Sequence, residues 1–208
     1  MIFVLIKFGI PALVGFSLFI SNSKQTPAPS AQNSAEVITP PQLNPLPVAT
    51  NSADFALSGK TQPQAAVSLY LNDNLLDKTQ ADNNGSFSFK SSYVQGDNKI
   101  YVKAKLNNET SDPSDTLDVL FKNTPPDLTV NSPTDGQQFS KDQNSVNVTG
   151  STDAGVNITV NGHWAVIDQN NNFSYQLNLQ NGENDIKIEA TDLAGNKTDK
   201  EIKVNYSP

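Results

Sequence analysis

The chain has 208 residues, a net charge of −7, one histidine (His163) and no cysteine. An acidic chain does not neutralise a phosphate backbone, so the composition argues against nucleic-acid binding. The absence of cysteine excludes a disulfide framework and a thiolate metal site, and a single histidine excludes a multi-histidine metal centre.

The first segment, residues 1–22, is predicted to be a transmembrane anchor or a signal peptide. Residues 1–20 are apolar apart from Lys7, and about 20 apolar residues in a helix reach across a bilayer. Alternatively, residues 8–20 are the apolar core of a signal peptide that is removed. We favour the uncleaved anchor because the small residues at 21–23 and 28–30 make weak cleavage sites.

Orientation follows from the charges that flank this segment. Lys7 and the free amine lie toward the N-terminal end of this segment, and a large acidic region follows the segment. Positive charge stays on the cytoplasmic side, so we expect a single-pass cell-membrane protein that contacts the membrane through residues 1–20. The C-terminal domains are then extracytoplasmic, and cleavage would instead give a secreted protein.

Residues 23–47 are predicted to be a disordered linker. The segment is rich in Pro, Ser, Gln and Asn and has few large apolar residues. Such a composition buries too little apolar surface to offset the entropy of ordering. Its expected role is to hold folded domains away from the membrane.

The rest of the chain contains an internal repeat. A glycine, Gly59 or Gly150, is followed in each copy by a polar turn and an alternating apolar strand. The strands keep their phase, while insertions fall in turns, as expected for homologous β domains. Three segments recur in the same order: residues 59–73 and 150–162, residues 82–89 and 168–175, and residues 95–104 and 181–190.

The periodicity of the repeats predicts an all-β fold, namely two tandem immunoglobulin-like Greek-key β-sandwiches over residues 48–123 and 124–208. Apolar residues alternate along the strands, so one face of each strand is buried and two sheets must pack face to face. No helical period appears after residue 22. In the second copy we predict strands near 127–131, 145–149, 156–161, 164–168, 172–179, 184–191 and 198–206.

The second copy resembles a known family. A Gly-Glu-Asn turn at 182–184 is followed by a strand and then by the run Ala-Thr-Asp-Leu-Ala-Gly-Asn at 190–196. Over nearly all of residues 125–206 the sequence resembles bacterial immunoglobulin-like repeats of the glucodextranase domain B type. The first copy keeps the turn at 96–98, but residues 105–111 replace the later run.

The resemblance implies accessory modules of bacterial surface proteins and secreted hydrolases. Such modules act as spacers, adhesion units or carbohydrate contacts, and the resemblance implies no catalysis. We therefore predict a non-enzymatic, membrane-anchored, extracytoplasmic spacer or adhesive module with a cell-surface glycan or protein partner. The alternative is a non-catalytic, carbohydrate-contacting accessory module of an exported bacterial hydrolase.

Two groups of residues are candidates for ligand binding, although no cofactor is required. Asp127, Asp153 and Asp192 are expected near one end of the second sandwich and are candidate Ca²⁺ ligands, because Ca²⁺ binds carboxylate oxygens in loops. Asp also stabilises turns through its own backbone. Trp164 follows the hairpin signal Asn161-Gly162 and is expected either to stack on a sugar ring or to pack over the sandwich edge.

Overall fold

A computed structural model describes residues 38–208. The predicted anchor or signal peptide (residues 1–22) and the larger part of the predicted linker lie outside this range. Residues 38–208 contain β-strands and no helix. Within them, accordingly, there is no helix with the length and apolar character needed to cross a membrane.

Two sheets form the first sandwich. One has the strand order β1-β3-β6, and the other has the order β2-β9-β7-β4-β5, with β8 paired to β7. All pairs are antiparallel except β2 with β9. The strands are β1 (Gln42–Leu43), β2 (Ala49–Thr50), β3 (Asp54–Lys60), β4 (Ala66–Leu71), β5 (Asn74–Gln80), β6 (Ser86–Ser92), β7 (Gly96–Leu106), β8 (Glu109–Thr110) and β9 (Leu117–Phe121).

The second sandwich repeats this plan. Its sheets have the orders β10-β12-β16-β15 and β11-β18-β17-β13-β14, and β11 with β18 is again the parallel pair. The strands are β10 (Leu128–Ser132), β11 (Gln137–Ser140), β12 (Ser145–Thr152), β13 (Asn157–Val160), β14 (His163–Trp164), β15 (Val166–Ile167), β16 (Asn172–Asn178), β17 (Gly182–Thr191) and β18 (Lys197–Ser207).

Each sandwich has its own core, built from the inward-facing half of its strands. In β4, Val67 and Leu69 are fully buried, while Ser68 between them is not. Burial of each such aliphatic side chain contributes about 1.5–3 kcal/mol. The prediction of an all-β, two-sandwich fold is thus confirmed for the described residues.

The sequence placed the start of the first sandwich too late. Residues 38–47 were assigned to the linker, but β1 pairs with β3 through Gln42↔Lys60 and Leu43↔Gly59, and Ile38 is buried. The run Thr-Pro-Pro-Gln-Leu at 39–43 is the counterpart of Thr-Pro-Pro-Asp-Leu at 124–128. Proline is tolerated at the start of an edge strand, and its abundance concealed the strand.

All seven strands predicted for the second copy occur, with two differences. The strand Gln137–Ser140 was missed because Phe139 is its one buried residue. The strand predicted at 164–168 is divided between the sheets, since Trp164 pairs with β13 and Val166 pairs with β16. The chain therefore changes sheet at Ala165, which a continuous apolar pattern does not reveal.

Candidate functional site

The predicted Ca²⁺ ligand Asp192 lies in a hairpin turn, Asp192–Asn196, between β17 and β18. Its Oδ1 accepts a hydrogen bond of 2.8 Å from the backbone N–H of Asn196. Its carbonyl accepts one of 3.0 Å from the N–H of Gly195. Gly195 has a φ of +87°, a conformation that glycine adopts without strain.

The same turn occurs twice more, at residues 82–86 and 168–172. Asp82 Oδ1 accepts from the N–H of Ser86 at 2.8 Å, and Asp168 Oδ1 accepts from the N–H of Asn172 at 2.9 Å. An aspartate at the first position thus closes the turn at all three places. This structural role accounts for three of the aspartates in the connections between strands.

Asp192 differs from its two counterparts by being buried, at 8% exposure, whereas Asp82 and Asp168 are exposed. Burial alone would raise the pKa of this carboxyl. Hydrogen bonds from Asn196 and the nearby Lys122 ammonium outweigh that effect and hold the pKa below its usual value. Lys122 Nζ lies 3.4 Å from Asp192 Oδ2, so Asp192 is a paired, ionised carboxylate near neutral pH.

The other two Ca²⁺ candidates contact each other. The N–H of Asp127 donates to Asp153 Oδ2 at 3.2 Å, and the Asp127 carbonyl accepts from the Thr152 hydroxyl at 2.7 Å. Asp192 does not join them in a metal-ligand cluster. Between residues 38 and 208, no three or more His, Asp or Glu side chains are grouped so that they could hold a metal ion.

Trp164, the candidate sugar-stacking residue, lies on the edge strand β14 with 70% of its surface exposed. It does not pack over the sandwich edge. Val166, two residues further on, is 73% exposed. The ring of His163 stacks on Tyr175, with centroids 6.0 Å apart and planes within 5° of parallel. The structure thus exposes Trp164 and Val166 on the segment that passes from one sheet of the second sandwich to the other.

The first sandwich carries an aromatic pair on one of its sheets. Tyr70 and Tyr101 face each other across β4 and β7, with centroids 5.0 Å apart and planes within 7° of parallel. Lys103 Nζ lies 5.7 Å from the Tyr70 ring centroid, within cation–π range. The Tyr101 hydroxyl donates to Asp73 Oδ1 at 3.3 Å.

A signal for this pair was present in the sequence. Tyr70 lies between the buried Leu69 and Leu71. Because successive side chains of a strand point to opposite faces, Tyr70 lies on the outer face of its sheet. Tyr101 holds the same phase between two buried residues of β7. Burial raises the pKa of Tyr101, and the neighbouring Asp73 raises it further. The outer face of the first sandwich therefore presents two stacked phenol rings.

The second sandwich is similar in sequence to a known domain family. Residues 126–207 match the family described as glucodextranase, domain B, as the turn at 182–184 and the run at 190–196 predicted. The match covers the second sandwich and less than half of the chain.

Two individual proteins extend the comparison. The chain is 33% identical over 159 residues to Bacillopeptidase F of Bacillus subtilis (strain 168). That stretch is 76% of this chain but spans 11% of the relative. A solved structure of Clostridium thermocellum CbhA fibronectin(III)-like modules superposes with a TM-score of 0.52 at 17% identity, covering 80% of this chain and 94% of that one. At this identity the structural match shows a shared fold alone.

Proposed function

We propose that this protein is a non-enzymatic, immunoglobulin-like repeat protein that acts outside the cytoplasm as a spacer or adhesive binding module. The observation that carries this proposal is the use of the loop side chains. Asp82, Asp168 and Asp192 each close their own turn, and Asn98 and Asn184 do the same in two other turns. Polar groups bonded in this way serve the fold and are not free for acid–base chemistry.

The exposed aromatic residues are the surfaces through which such a module would bind a partner. Trp164 presents an exposed indole ring on an edge strand. The stacked rings of Tyr70 and Tyr101 form a flat surface on the outer face of the first sandwich. Aromatic rings of this kind contact sugars and protein surfaces at low entropic cost. A spacer without a partner would not need either surface.

Binding to purified cell-wall glycans and to a glycan array tests the adhesive role in the full chain. We expect capture by a surface glycan to be lost on Trp164→Ala and retained on Leu193→Ala, a matched control at an exposed apolar position. Binding that is unchanged in both variants would reject Trp164 as the contact. Failure of the wild-type chain to bind any surface would reduce the role to that of a spacer.

The second candidate function is an accessory module of an exported hydrolase. It is favoured by the similarity to Bacillopeptidase F and by the glucodextranase domain B match. In this case the chain should co-purify with a hydrolase from the culture medium or cell envelope. A purified chain that associates with glycans but with no hydrolase would favour the first proposal.

Anchoring through residues 1–20 is part of the first proposal and has its own test. The chain should fractionate with membranes and be digested by protease added to intact cells. Deletion of residues 1–22 should retain it in the cytoplasm. Recovery of a shortened chain from the medium would instead indicate cleavage and secretion.

A further inference from the structure

The segment that joins the two sandwiches is short and is bonded at both ends. β9 ends at Phe121 and β10 begins at Leu128, which leaves residues 122–127 as the connection. The backbone of Lys122 is shared between the two sandwiches. Its N–H donates to the Thr50 carbonyl of the first sandwich at 3.1 Å, and its carbonyl accepts from Asn196 Nδ2 of the second sandwich at 2.7 Å.

Two further contacts hold the connection to the second sandwich. Lys122 Nζ pairs with Asp192 Oδ2 at 3.4 Å, and the Thr198 hydroxyl donates to the Pro126 carbonyl at 2.5 Å. The turn Asp192–Asn196 and the first residues of β18 therefore contact both ends of the connecting segment. Pro125 and Pro126 also restrict the backbone of the connecting segment.

The three equivalent turns provide an internal comparison. The turns at 82–86 and 168–172 begin with exposed aspartates, whereas Asp192 and Asn196 are 8% and 7% exposed. In the exposed turn, Asn172 Nδ2 contacts only Asp168 among the described residues. Asn196 Nδ2 contacts Asp192 Oδ2 at 3.0 Å and also reaches the Lys122 carbonyl. Of these three turns, the buried one is thus the turn that contacts the segment between the two sandwiches.

The first sandwich reaches this turn as well. A Cβ atom added to Gly195 would lie 3.9 Å from Asn51 Nδ2, and Asn51 directly follows β2. The hairpin at the corresponding position of the first sandwich is a short turn through Asn107 and Asn108, both at positive φ. The longer turn, Asp192–Asn196, therefore occurs in the second sandwich, which follows the first sandwich directly.

We infer that the turn Asp192–Asn196 is a docking site for the connecting segment 122–126 and fixes the second sandwich in one orientation relative to the first. The site binds a backbone carbonyl through Asn196 and a lysine ammonium through Asp192. Asp192 and Asn196 are both buried, so losing a contact with Lys122 removes a hydrogen bond or ion pair that water replaces poorly. This inference concerns the joint alone and holds whether the protein is a spacer or an accessory module.

Electron–electron double resonance on the full chain tests the inference. The chain has no cysteine, so Lys78→Cys and Glu201→Cys place one spin label on an exposed strand position of each sandwich. We expect a single narrow distance distribution. The test variant is Asn196→Ser, since Ser86 holds the same position in an intact turn, and Asn172→Ser is its matched control.

The distribution should broaden in Asn196→Ser, because a released six-residue connection samples distances on the order of 10 Å. It should stay narrow in Asn172→Ser. If Asn196→Ser fails to fold, Thr198→Val removes the Pro126 contact with a side chain of the same shape and should broaden the distribution. A wild-type distribution that is already broad, or narrow distributions in both Asn196→Ser and Thr198→Val, would overturn the inference.

Discussion

Gly150 and Phe173 are directly paired across β12 and β16, and the Phe173 ring occupies the space that a side chain on residue 150 would need. A Cβ atom at 150 would lie 2.5 Å from the ring and 2.0 Å from the Thr129 carbonyl oxygen. Gly59 and Phe87 repeat the arrangement in the first sandwich, where the ring lies 2.6 Å from such an atom. The repeated glycine is thus required by the close approach of an aromatic ring and a backbone oxygen.

Gly150→Ala should therefore destabilise the second sandwich by more than about 2 kcal/mol, since the backbone oxygen has no alternative position and the core is overpacked. Chemical denaturation followed by domain-resolved hydrogen exchange measures this loss. Ser151→Ala, at the next residue, should cost less than about 0.5 kcal/mol. Equal stability of the two variants would contradict the steric explanation.

Asn98 should be more important for stability than Asn184, although both close the same type of turn. Asn98 bonds Val94 and Gly96 and also reaches the Val119 carbonyl at 3.3 Å, and it is 1% exposed.

Asn184 makes the equivalent turn contacts with Gln180 and Gly182 in a more accessible place. Each lost buried hydrogen bond costs about 1–3 kcal/mol, so Asn98→Ala should lower the free energy of unfolding more than Asn184→Ala. Asn178→Ala, at an exposed position, is the control, and a larger loss in Asn184→Ala would contradict the prediction.

The stability of the second sandwich should depend on the ionisation of Asp192. Its pKa is lowered in the folded protein, so the unfolded chain binds a proton more readily and acid favours unfolding. The stabilisation is fully present above the unfolded pKa of about 4 and is lost as the pH falls through the lower folded value.

Asp192→Asn removes the carboxylate, so its cost should be largest near neutral pH and should shrink below about pH 4. Urea denaturation over a pH series measures this difference, with the exposed Asp199→Asn as the control. A cost for Asp192→Asn that does not change with pH would show that the carboxylate charge contributes nothing.

Calcium should leave the thermal unfolding temperature unchanged. Asp192 is already paired with Lys122, and Asp153 accepts a hydrogen bond from the backbone of Asp127, so the three predicted ligands do not converge. A ligand that binds only the folded state raises its stability. A rise at millimolar Ca²⁺ that is abolished by Asp153→Asn would restore the calcium prediction.

Trp164→Ala should leave folding intact. With 70% of the residue exposed, its removal should change the free energy of unfolding by less than about 0.5 kcal/mol. Phe173→Ala, in the core of the same sandwich, should cost about 3–5 kcal/mol. Chemical denaturation of both variants checks the contrast, and a large loss for Trp164→Ala would indicate a packing role instead of a free surface.

The strand pattern of both sandwiches was predictable because inward-facing residues alternate along most strands. The pairing register of the strands was not predictable from the sequence. The sequence aligns Leu71 with Val160, and Ile100 with Ile186. In the structure Leu71 pairs with Ile100, whereas Val160 pairs with Ile188, two residues further on. A slip of two residues keeps every side chain on its face, so no hydrophobic pattern detects it.

The aspartates illustrate a different limit. Asp82, Asp168 and Asp192 occur in similar local sequences, and a turn role was predictable for each of them. Whether such a turn is exposed or buried depends on what packs over it. For Asp192 the covering residue is Lys122, which is 70 positions earlier in the chain. The sequence around Asp192 therefore does not predict its contact with Lys122.

The parallel pairs β2 with β9 and β11 with β18 have a mechanical consequence. Each joins an early strand of its sandwich to the last one, so tension applied across a sandwich pulls the two strands past each other along their length. Backbone hydrogen bonds between them then carry the load together and must break together, in contrast to a hairpin that opens one bond at a time. We expect both repeats to resist stretching along the chain.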